Sequence, residues 1–305
     1  MKLLSRLGQS VIALLGVALL LFVMLRVIPG NPVAVLMGEH GDDAVIARMT
    51  EELGLDQPIL NQFFRYIGDC LRGNFGTSYS LGKPVLQLMG DAFVNTLQLS
   101  LAAAVFAWVL GIVSGVIAAV RKNGILDHLF MGISLVGVSI PVFMTAVLLQ
   151  YFIAFRLHWL PISGMAGWQS LILPAVALGW NSAGSVARLV RSTLLDILQE
   201  DYIDTARAKG RRQMGVLVFH ALRNAMLPVV TMMALQFSSL LSGAVITETV
   251  FSINGIGRLA VQAISGRDVP LLQGTVLFAT ALVILGNLAA DMLYSVLDPR
   301  IRKGG

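Results

Sequence analysis

Apolar residues in this chain are gathered into long uncharged blocks instead of alternating with polar ones. Residues 11–21, for example, read Val-Ile-Ala-Leu-Leu-Gly-Val-Ala-Leu-Leu-Leu. An α-helix needs about 20 consecutive apolar residues to cross the hydrocarbon core of a bilayer, whereas the strands of a membrane barrel alternate. The pattern therefore predicts an all-α polytopic membrane protein. Six membrane-spanning helices are expected, at residues 10–28, 95–120, 129–155, 171–190, 228–250 and 273–297.

Small residues recur inside two of the predicted spans. Gly111 and Gly115 lie in the second span, and Gly179 and Gly184 lie in the fourth. Small residues in a membrane helix let the backbone of a neighbouring helix approach closely. We therefore expect these four glycines to lie at helix–helix contacts.

The predicted spans divide the chain into three regions. Residues 1–29 form a first membrane helix, whose apolar run is too long for the core of a cleaved signal peptide. Residues 30–92 form a small extracytoplasmic cap, and residues 93–305 form the membrane core with five further helices. Within the core, residues 191–227 form a polar insert between two apolar blocks, called here the polar hairpin.

The cap carries short helix and turn signals. Helical spacing runs from Asp42 to Leu53, and a second helix is expected from Gln57, with Pro58 in its first turn. Residues 73–78, Gly-Asn-Phe-Gly-Thr-Ser, predict a turn and not a phosphate-binding loop, because no Gly-Lys-Ser/Thr follows. We therefore expect the cap to be a small folded region.

Composition agrees with a membrane protein and excludes some chemistry. The chain is 56% hydrophobic and 13% charged, about half the charged fraction that is usual in soluble domains. Its one cysteine, Cys70, allows no intramolecular disulfide and no cysteine-based metal site. The sequence has no Walker A motif, no His-Glu-x-x-His and no Gly-x-Ser-x-Gly, so neither ATP binding nor hydrolase activity is expected. No metal site is predicted.

The distribution of lysine and arginine predicts the orientation in the membrane. Cytoplasmic loops of membrane proteins are enriched in both residues. With the N-terminus inside, 14 of the 22 basic residues fall on the cytoplasmic side. They are Lys2, Arg6, Arg121, Lys122, Arg188, Arg191, Arg207, Lys209, Arg211, Arg212, Arg223, Arg300, Arg302 and Lys303. Both termini are therefore predicted to be cytoplasmic, and the net charge of +5 does not call for a nucleic-acid partner.

The polar hairpin is expected to be two short helices joined by a turn. The first helix is predicted at about Leu194–Lys209, and the second at about Gln213–Ala225, where it ends before a proline. Gly210 supplies the turn between them. The basic residues suit an acidic surface on another protein, and the small Ala206 and Ala208 would let that protein come close. The same charges also suit a solvated loop, and the residues alone leave both interpretations open.

The polar hairpin resembles a known family, the inner-membrane permease subunits of binding-protein-dependent ABC importers. Those subunits carry Glu-Ala-Ala, three residues, Gly, and then a stretch that ends in Leu-Pro. Here Asp-Thr-Ala at 204–206 is followed by Gly210 and by Leu-Pro at 227–228. The departures, Asp for Glu, Thr for Ala and a longer gap, resemble the dipeptide, oligopeptide, nickel and glutathione branch. Thr-Ala-Arg-Ala-Lys-Gly at 205–210 and His-Ala-Leu-Arg-Asn-Ala-Met-Leu-Pro at 220–228 are similar to that branch as well.

Short motifs elsewhere extend the resemblance over nearly the full length. They are Leu-Gly-Leu-Asp-Gln-Pro at 53–58, Gly-Asn-Phe-Gly at 73–76, Glu-Thr-Val-Phe at 248–251, Gly-Ile-Gly-Arg at 255–258 and Leu-Asp-Pro-Arg at 297–300. Each motif alone is weak, but their order and spacing together are specific.

The resemblance implies a mechanism and a set of partners. The polar hairpin would be a coupling helix that fits into a cleft of a cytoplasmic ATPase, and closure of two ATPases would switch the pore from inward- to outward-facing. The residues so implied are Asp204, Thr205, Ala206, Arg207, Ala208, Lys209 and Gly210. Expected partners are two ATPase subunits, a second, different permease, a periplasmic solute-binding protein and membrane lipid. ATP and Mg²⁺ would bind to the ATPases, with no cofactor on this chain, and the location would be the bacterial inner membrane.

Polar residues in or near the spans are candidates for the translocation path. Ionisable groups are costly in a bilayer, so Glu248, near the outer end of the fifth span, is a candidate for an outer gate. An equal alternative is that Glu248 orders the loop of Arg258 by pairing with it. Gln236 and Asn181 are further candidates for the path, with interhelical hydrogen bonds as their alternative role.

The predicted function is that of a transmembrane permease subunit in an ATP-driven importer of a peptide-like solute, which includes dipeptides, oligopeptides and glutathione. The same machinery importing nickel or a metal chelate is the alternative. A secondary transporter would need acidic residues near the membrane centre, and they are scarce here. A membrane scaffold that recruits a cytoplasmic protein without moving solute is a third hypothesis. In each case the chain is expected not to be an enzyme.

Overall fold

The computed structural model describes residues 2–27, 50 and 56–297. The regular structure of that part of the chain is helical. The predicted all-α fold class is therefore confirmed where the chain is described. The helix predicted at 42–53 and the terminal motif beyond Leu297 lie outside the described residues.

The helices are numbered in chain order. They are α1 (Lys2–Val27), α2 (Ile59–Leu71), α3 (Val85–Val120), α4 (Ile125–Ser139), α5 (Val142–Arg156), α6 (Trp168–Ile197), α7 (Asp201–Ala208), α8 (Gln213–Leu241), α9 (Val245–Val250), α10 (Ile256–Ser265) and α11 (Val269–Leu297). The end of α5, Gln150–Arg156, and the segment Leu217–Leu222 of α8 have π-helical hydrogen bonding.

Several helices are both long enough and apolar enough to cross a membrane. Among the described residues, α3, α6, α8 and α11 each satisfy both conditions. Helices α4 and α5 satisfy them together, but they meet at an angle of 104°. Helix α1 contains a shorter apolar stretch, Gly8–Met24. This is the helix set of a multi-pass membrane protein.

The third predicted span is interrupted by a sharp bend. The prediction at 129–155 corresponds to α4 and α5, with a break at Ile140 and Pro141. Proline lacks the backbone N–H that a helix needs and disfavours helical backbone in the preceding residue. Accordingly, Ile140 is extended, with φ −81° and ψ 128°.

The fifth predicted span is wrong in its limits. The prediction at 228–250 assumed that a helix ends before Pro228, but α8 runs through this proline from Gln213 to Leu241. Membrane helices tolerate an internal proline when neighbouring helices and local π-helical turns adjust the backbone bonds that it disrupts. The chain beyond Leu241 turns at Gly243 (φ 108°) and forms the separate helix α9.

Contacts divide the chain into two compact units. The first comprises Met1–Val94 and Ile256–Ala281, and the second comprises Asn95–Gly255 and Leu282–Gly305. The core of the first unit consists of buried apolar side chains from α3, α10 and α11. They are Val85, Met89, Ala92, Ile256, Leu259, Ala263 and Leu271.

Two local elements predicted within residues 30–92 are present where that region is described. Helix α2 is the helix expected from Gln57, and Pro58 is its N-cap. Its Phe63 packs edge-on against Phe22 of α1, with ring centroids 5.3 Å apart. The turn predicted at 73–78 is present, with its two glycines at φ of 75° and 77°.

A buried carboxylate in the first unit holds the loop that follows this turn. Asp268, directly before α11, accepts hydrogen bonds at Oδ2 from Ser78 Oγ (2.6 Å), Ser80 N–H (2.9 Å) and Ser80 Oγ (2.8 Å). Its Oδ1 accepts the N–H of Leu271 at 3.2 Å. Burial alone would raise the pKa of Asp268, but these hydrogen bonds to the ionised form outweigh burial and lower it.

We expect Asp268→Asn to destabilise the protein by about 1–3 kcal/mol, because an amide cannot accept all three donors at one atom. Since the pKa of Asp268 is lowered in the folded state, its stabilisation is present above the unfolded value of about 3.9 and is lost as the pH falls through the folded value. The unfolding temperature in detergent should therefore be lower for Asp268→Asn than for wild type at neutral pH. This difference in unfolding temperature should become smaller below about pH 4. A difference in unfolding temperature that does not change with pH would contradict an ionised Asp268 in the folded protein.

Helix α6 packs closely against α3 in the second unit. A Cβ atom added at Gly111 would lie 2.7 Å from Val186 Cβ, and one added at Gly115 would lie 2.7 Å from Val190 Cβ. Both positions advance by four residues along each helix, so α3 and α6 run parallel. Cβ atoms in real proteins essentially never approach another heavy atom to less than 3.0 Å. Only glycine at these two positions therefore permits α3 and α6 to lie so close together.

The glycines of α6 make contacts of the same kind. A Cβ atom at Gly179 would lie 2.6 Å from the carbonyl oxygen of Ala103 in α3, and one at Gly184 would lie 2.5 Å from that of Ser134 in α4. The prediction that the four glycines lie at helix–helix contacts is therefore confirmed.

Candidate functional site

The polar hairpin differs from its prediction in the extent of its helices. Helix α6 continues to Ile197, so the predicted helix at Leu194–Lys209 is wrong, and only α7 is separate from α6. The predicted second helix, Gln213–Ala225, is the start of the long α8. The part that links α6 to α8 is therefore residues 198–212, called here the connecting segment.

One face of α7 packs on the protein's own core. Ile203 is fully buried and contacts a cluster that includes Leu194 of α6 and Val216 of α8. Ala206, one turn later, is half-buried against the same cluster. The Nδ2 of Asn224 in α8 donates to the hydroxyl of Tyr202 at 2.9 Å. These contacts hold α7 in a defined position beneath α6 and α8.

The opposite face of α7 and the turn after it are exposed. Arg207 Nη1 donates to Asp204 Oδ1 at 2.8 Å, one turn apart on the helix. Both side chains are largely exposed, so the pair contributes little to stability. The remaining exposed candidates are Thr205, Ala208, Lys209 and Gly210, followed by Arg211 and Arg212. The predicted coupling residues thus form one exposed, mainly basic surface, except Ala206, which faces the core.

Gly210 supplies the turn as predicted. Its φ is 75°, in the left-handed region, and its N–H donates to the carbonyl oxygen of Arg207 at 2.9 Å. A Cβ atom at Gly210 would meet nothing within 4 Å. The requirement for glycine is therefore conformational and not steric.

The three candidates for the translocation path lie on three different helices. Asn181 of α6 donates from Nδ2 to the carbonyl oxygen of Val138 in α4 at 3.2 Å, which is the interhelical hydrogen bond given as its alternative role. Gln236 of α8 has a buried Oε1 without a hydrogen-bond partner in the described chain. Glu248 lies in α9 and not at the end of a long span as predicted, because α8 ends at Leu241.

Glu248 is fully buried within the protein. Its Oε1 accepts a hydrogen bond from Thr96 Oγ1 of α3 at 2.8 Å, and its carbonyl oxygen accepts the N–H of Ile253 at 2.8 Å. The carboxylate lies directly under Gly255, where a Cβ atom would overlap it. The loop after α9 therefore packs on this carboxylate.

Two family models together match most of the chain. Residues 111–303 match the family described as "Binding-protein-dependent transport system inner membrane component", and residues 1–102 match its N-terminal counterpart. The chain belongs to this family. It is thus a multi-pass inner-membrane component of a binding-protein-dependent ABC transport system, which works with ATPase and solute-binding partners, and it is not an enzyme.

Relatives extend over the whole chain. It is 42% identical to "Glutathione transport system permease protein GsiC" of Salmonella typhimurium, with 98% of both chains covered. It is 40% identical to "Di/tripeptide transport system permease protein DppB" of Pseudomonas aeruginosa, with 97% of both covered. It is 39% identical to "Probable peptide ABC transporter permease protein y4tP" of Sinorhizobium fredii, with 98% of both covered.

Solved structures agree on the fold. The MetNI methionine ABC transporter in inward-facing conformations matches 70% of this chain and 97% of its own, with a TM-score of 0.60 and 21% identity. An amino acid ABC transporter with histidines matches 70% of this chain and 94% of its own, with a TM-score of 0.51 and 17% identity. At such identities the likeness concerns the fold alone.

Sequence reasoning missed one buried ion pair close to the connecting segment. Asp127 in the first turn of α4 pairs with Arg191 of α6. In the sequence, Arg191 counted only as a cytoplasmic positive charge. An acid and a base 64 positions apart carry no local signal, so only the packing of α4 against α6 identifies them.

Proposed function

We propose that this chain is the transmembrane permease subunit of an ATP-driven importer of peptide-like solutes, with dipeptides, oligopeptides and glutathione as candidates. The observation that carries the proposal is identity of 39% to 42%, over 98% of the chain, to permeases named for peptides and for glutathione. The solute would come from a solute-binding protein outside the membrane. The chain itself would bind no cofactor, and ATP and Mg²⁺ would bind to partner subunits.

The connecting segment is proposed to bind the ATPase subunit. Its support is the two-sided character of α7: Ile203 and Ala206 pack on the core, while Asp204, Arg207 and Lys209 remain exposed. A displacement applied to the exposed face would therefore pass to α6 and α8 through packed side chains. Desolvated basic groups opposite acidic ones give such a contact orientation and specificity.

The proposed topology has six spans and cytoplasmic termini. The parallel packing of α3 and α6 supports one net crossing for the bent pair α4 and α5 between them. With α1 counted, the number of crossings is even, which agrees with 14 of 22 basic residues on the cytoplasmic side. The connecting segment then faces the cytoplasm, where ATPase subunits reside.

The translocation path is proposed to include Glu248 and Gln236. Glu248 is a buried carboxylate, and the buried Oε1 of Gln236 has no hydrogen-bond partner among the described residues. Polar groups of this kind are costly in a membrane protein and often mark solute paths. Asn181 has less support, because its amide already donates to Val138. The path would be completed by a second, homologous but different permease.

Uptake into vesicles tests the proposal. The complete transporter, with its ATPases and binding protein, is reconstituted with ATP inside or outside, and labelled dipeptide, glutathione and Ni²⁺ are compared. Uptake of a peptide that needs ATP on the ATPase side is the expected result. If Ni²⁺ is imported and the peptides are not, the solute is a metal ion and not a peptide. Uptake driven by a proton gradient without ATPases would favour a secondary transporter. ATPase binding without any uptake would favour a scaffold.

Charge reversal on α7 should weaken ATPase binding without loss of folding. We expect Asp204→Lys or Arg207→Glu to reduce the ATPase that co-purifies by about three- to tenfold, because each reverses an exposed charge at the proposed interface. The amount of permease in membranes should stay within about twofold of wild type, since exposed pairs contribute little to stability. Lys122→Glu, an exposed reversal outside the connecting segment, is the control. Equal losses of permease and ATPase would indicate a folding defect instead.

A further inference from the structure

A buried ion pair joins α4 and α6 close to the connecting segment. Arg191 Nε donates to Asp127 Oδ1 at 2.6 Å, and Arg191 Nη2 donates to Asp127 Oδ2 at 2.7 Å. The backbone N–H of Asn123, a residue at φ 61°, donates to the same Oδ2 at 2.9 Å. The side chain of Asp127 is 4% exposed and that of Arg191 is 27% exposed. Both oxygens of the carboxylate therefore accept hydrogen bonds, and the side chain is almost entirely shielded from solvent.

The pair lies at one end of a continuous contact between α4 and α6. Farther along, Gly184 packs on the carbonyl oxygen of Ser134 and Gly137 packs on the indole of Trp180. Positions rise along α4 as they fall along α6, so the two helices are antiparallel. At the other end, the hydrogen bond from α6 to Val138 lies two residues before the break that separates α4 from α5. Helix α4 is thus held to α6 along its whole length.

Arg191 also lies one turn from the contact between α6 and α7. Leu194 follows it on α6 and is fully buried against Ile203, the residue that attaches α7 to the core. Within α6, therefore, the turn at Leu194 contacts α7 of the connecting segment, and the adjacent turn at Arg191 binds Asp127 of α4. A displacement of α7 reaches both through the same rigid helix.

We infer that Asp127 and Arg191 are positioning residues of transport, which make α4 and the bend before α5 move together with the connecting segment. This inference rests on the proposed function, because it takes the connecting segment to be the place where the ATPase acts. A guanidinium paired to a carboxylate through two parallel hydrogen bonds fixes orientation as well as distance. The glycine contacts and the hydrogen bond to Val138 hold the rest of the α4–α6 contact, and the ion pair adds an oriented contact at the end nearest the connecting segment.

The central variant is Asp127→Asn, tested in the full transporter with its ATPases and binding protein. We expect the ATPases to co-purify as with wild type, because Asp127 is buried and is not part of the connecting segment. We expect the number of ATP molecules hydrolysed per solute imported to rise about three- to tenfold, which lies within the range for residues that modulate coupling without touching either ligand. Arg191→Lys, which keeps the charge but loses the two parallel hydrogen bonds, should give an intermediate ratio.

Two further variants distinguish a loss of coupling between ATP hydrolysis and uptake from a loss of thermal stability. Met89→Ala removes a fully buried side chain from the core of the first unit, and should lower the unfolding temperature without raising the ratio of ATP to solute. The double variant Asp127→Asn with Arg191→Gln leaves no unpaired buried charge and should recover thermal stability relative to Asp127→Asn, while the ratio stays high. A ratio that follows thermal stability across these four proteins would assign the pair a purely structural role.

The outcomes distinguish this inference from the proposal on which it rests. If ATPases bind and wild-type transport consumes ATP, but Asp127→Asn imports solute at the wild-type ratio, the transmission role is overturned and the proposed function stands. If no ATPase binds even the wild-type protein, both fall. If Asp127→Asn does not accumulate in membranes, Arg191→Lys decides alone, and an unchanged ratio there overturns the inference.

Discussion

Gly184→Val is expected to reduce the folded protein recovered from membranes by about tenfold or more. A Cβ atom at Gly184 would lie 2.5 Å from the carbonyl oxygen of Ser134 and 3.1 Å from Val138 Cγ2, so α4 and α6 would have to separate. Overpacking of a flexible side chain costs about 1–3 kcal/mol, and backbone in a packed helix pair yields less readily. The amount of monodisperse protein after detergent extraction measures the effect.

The matched control is Gly132→Val in α4. Gly132 is also helical, but a Cβ atom there would meet nothing within 4 Å, and the position is exposed on the isolated chain. The change in helix propensity is the same for both substitutions, so the difference between the two variants reports the contact with α4 alone. Equal recovery of the two variants would show that α4 and α6 are not packed as described.

Gly210→Val is expected to separate ATP hydrolysis from uptake. A left-handed backbone costs an ordinary residue about 1–2 kcal/mol, and a β-branched residue tolerates it least. The turn should therefore open, and the exposed basic residues on either side of it would no longer face one partner. We expect uptake by the reconstituted transporter to fall about tenfold, with the permease still folded and ATP hydrolysis retained.

Two control variants test the cause of that loss. Gly210→Asn should keep most uptake, because asparagine accepts the left-handed region better than other residues. Gly215→Val, five residues later, places the same side chain in ordinary helical backbone of α8 with open space around it, and should also keep most uptake. Normal uptake by Gly210→Val would contradict the turn's role, and equal losses in all three would point to general sensitivity of the region.

Local features of this chain could be predicted from the sequence. The apolar blocks define helices because only a helix satisfies its own backbone in lipid, and the turn at Gly210 depends on one residue and its neighbours. The four glycine contacts were also predictable, since small residues inside an apolar helix indicate close packing. The exposure of most residues proposed for coupling followed from a contiguous polar motif, although the inward face of Ala206 did not.

Features that depend on competition between forces could not be predicted from the sequence. Pro141 breaks a helix whereas Pro228 does not, although both interrupt apolar runs. The local rule for proline is the same in both places, and packing around each site decides the outcome. The pairing of Asp127 with Arg191 and the burial of Glu248 are likewise set by which helices meet. Those contacts join residues far apart in the chain.

Chemical cross-linking from position 209 tests the central claim that the connecting segment binds an ATPase in the cytoplasm. Lys209→Cys is made together with Cys70→Ser, which removes the only native cysteine. Lys209 is exposed in the turn, whereas Cys70 is half-buried and burial raises the pKa of its thiol. A control cysteine at Leu81, in the loop held by Asp268, should not react with the ATPase.

We predict that a short cross-linker with a maleimide at one end and a succinimidyl ester at the other joins the cysteine at position 209 to a lysine amine of an ATPase subunit. This is expected in membranes that contain the whole transporter, with a yield that ATP changes. The cysteine at position 81 should give no such product. Absence of a cross-link at 209, together with its labelling by an impermeant reagent from the outer face, would contradict the orientation, the coupling surface and the mechanism built on them.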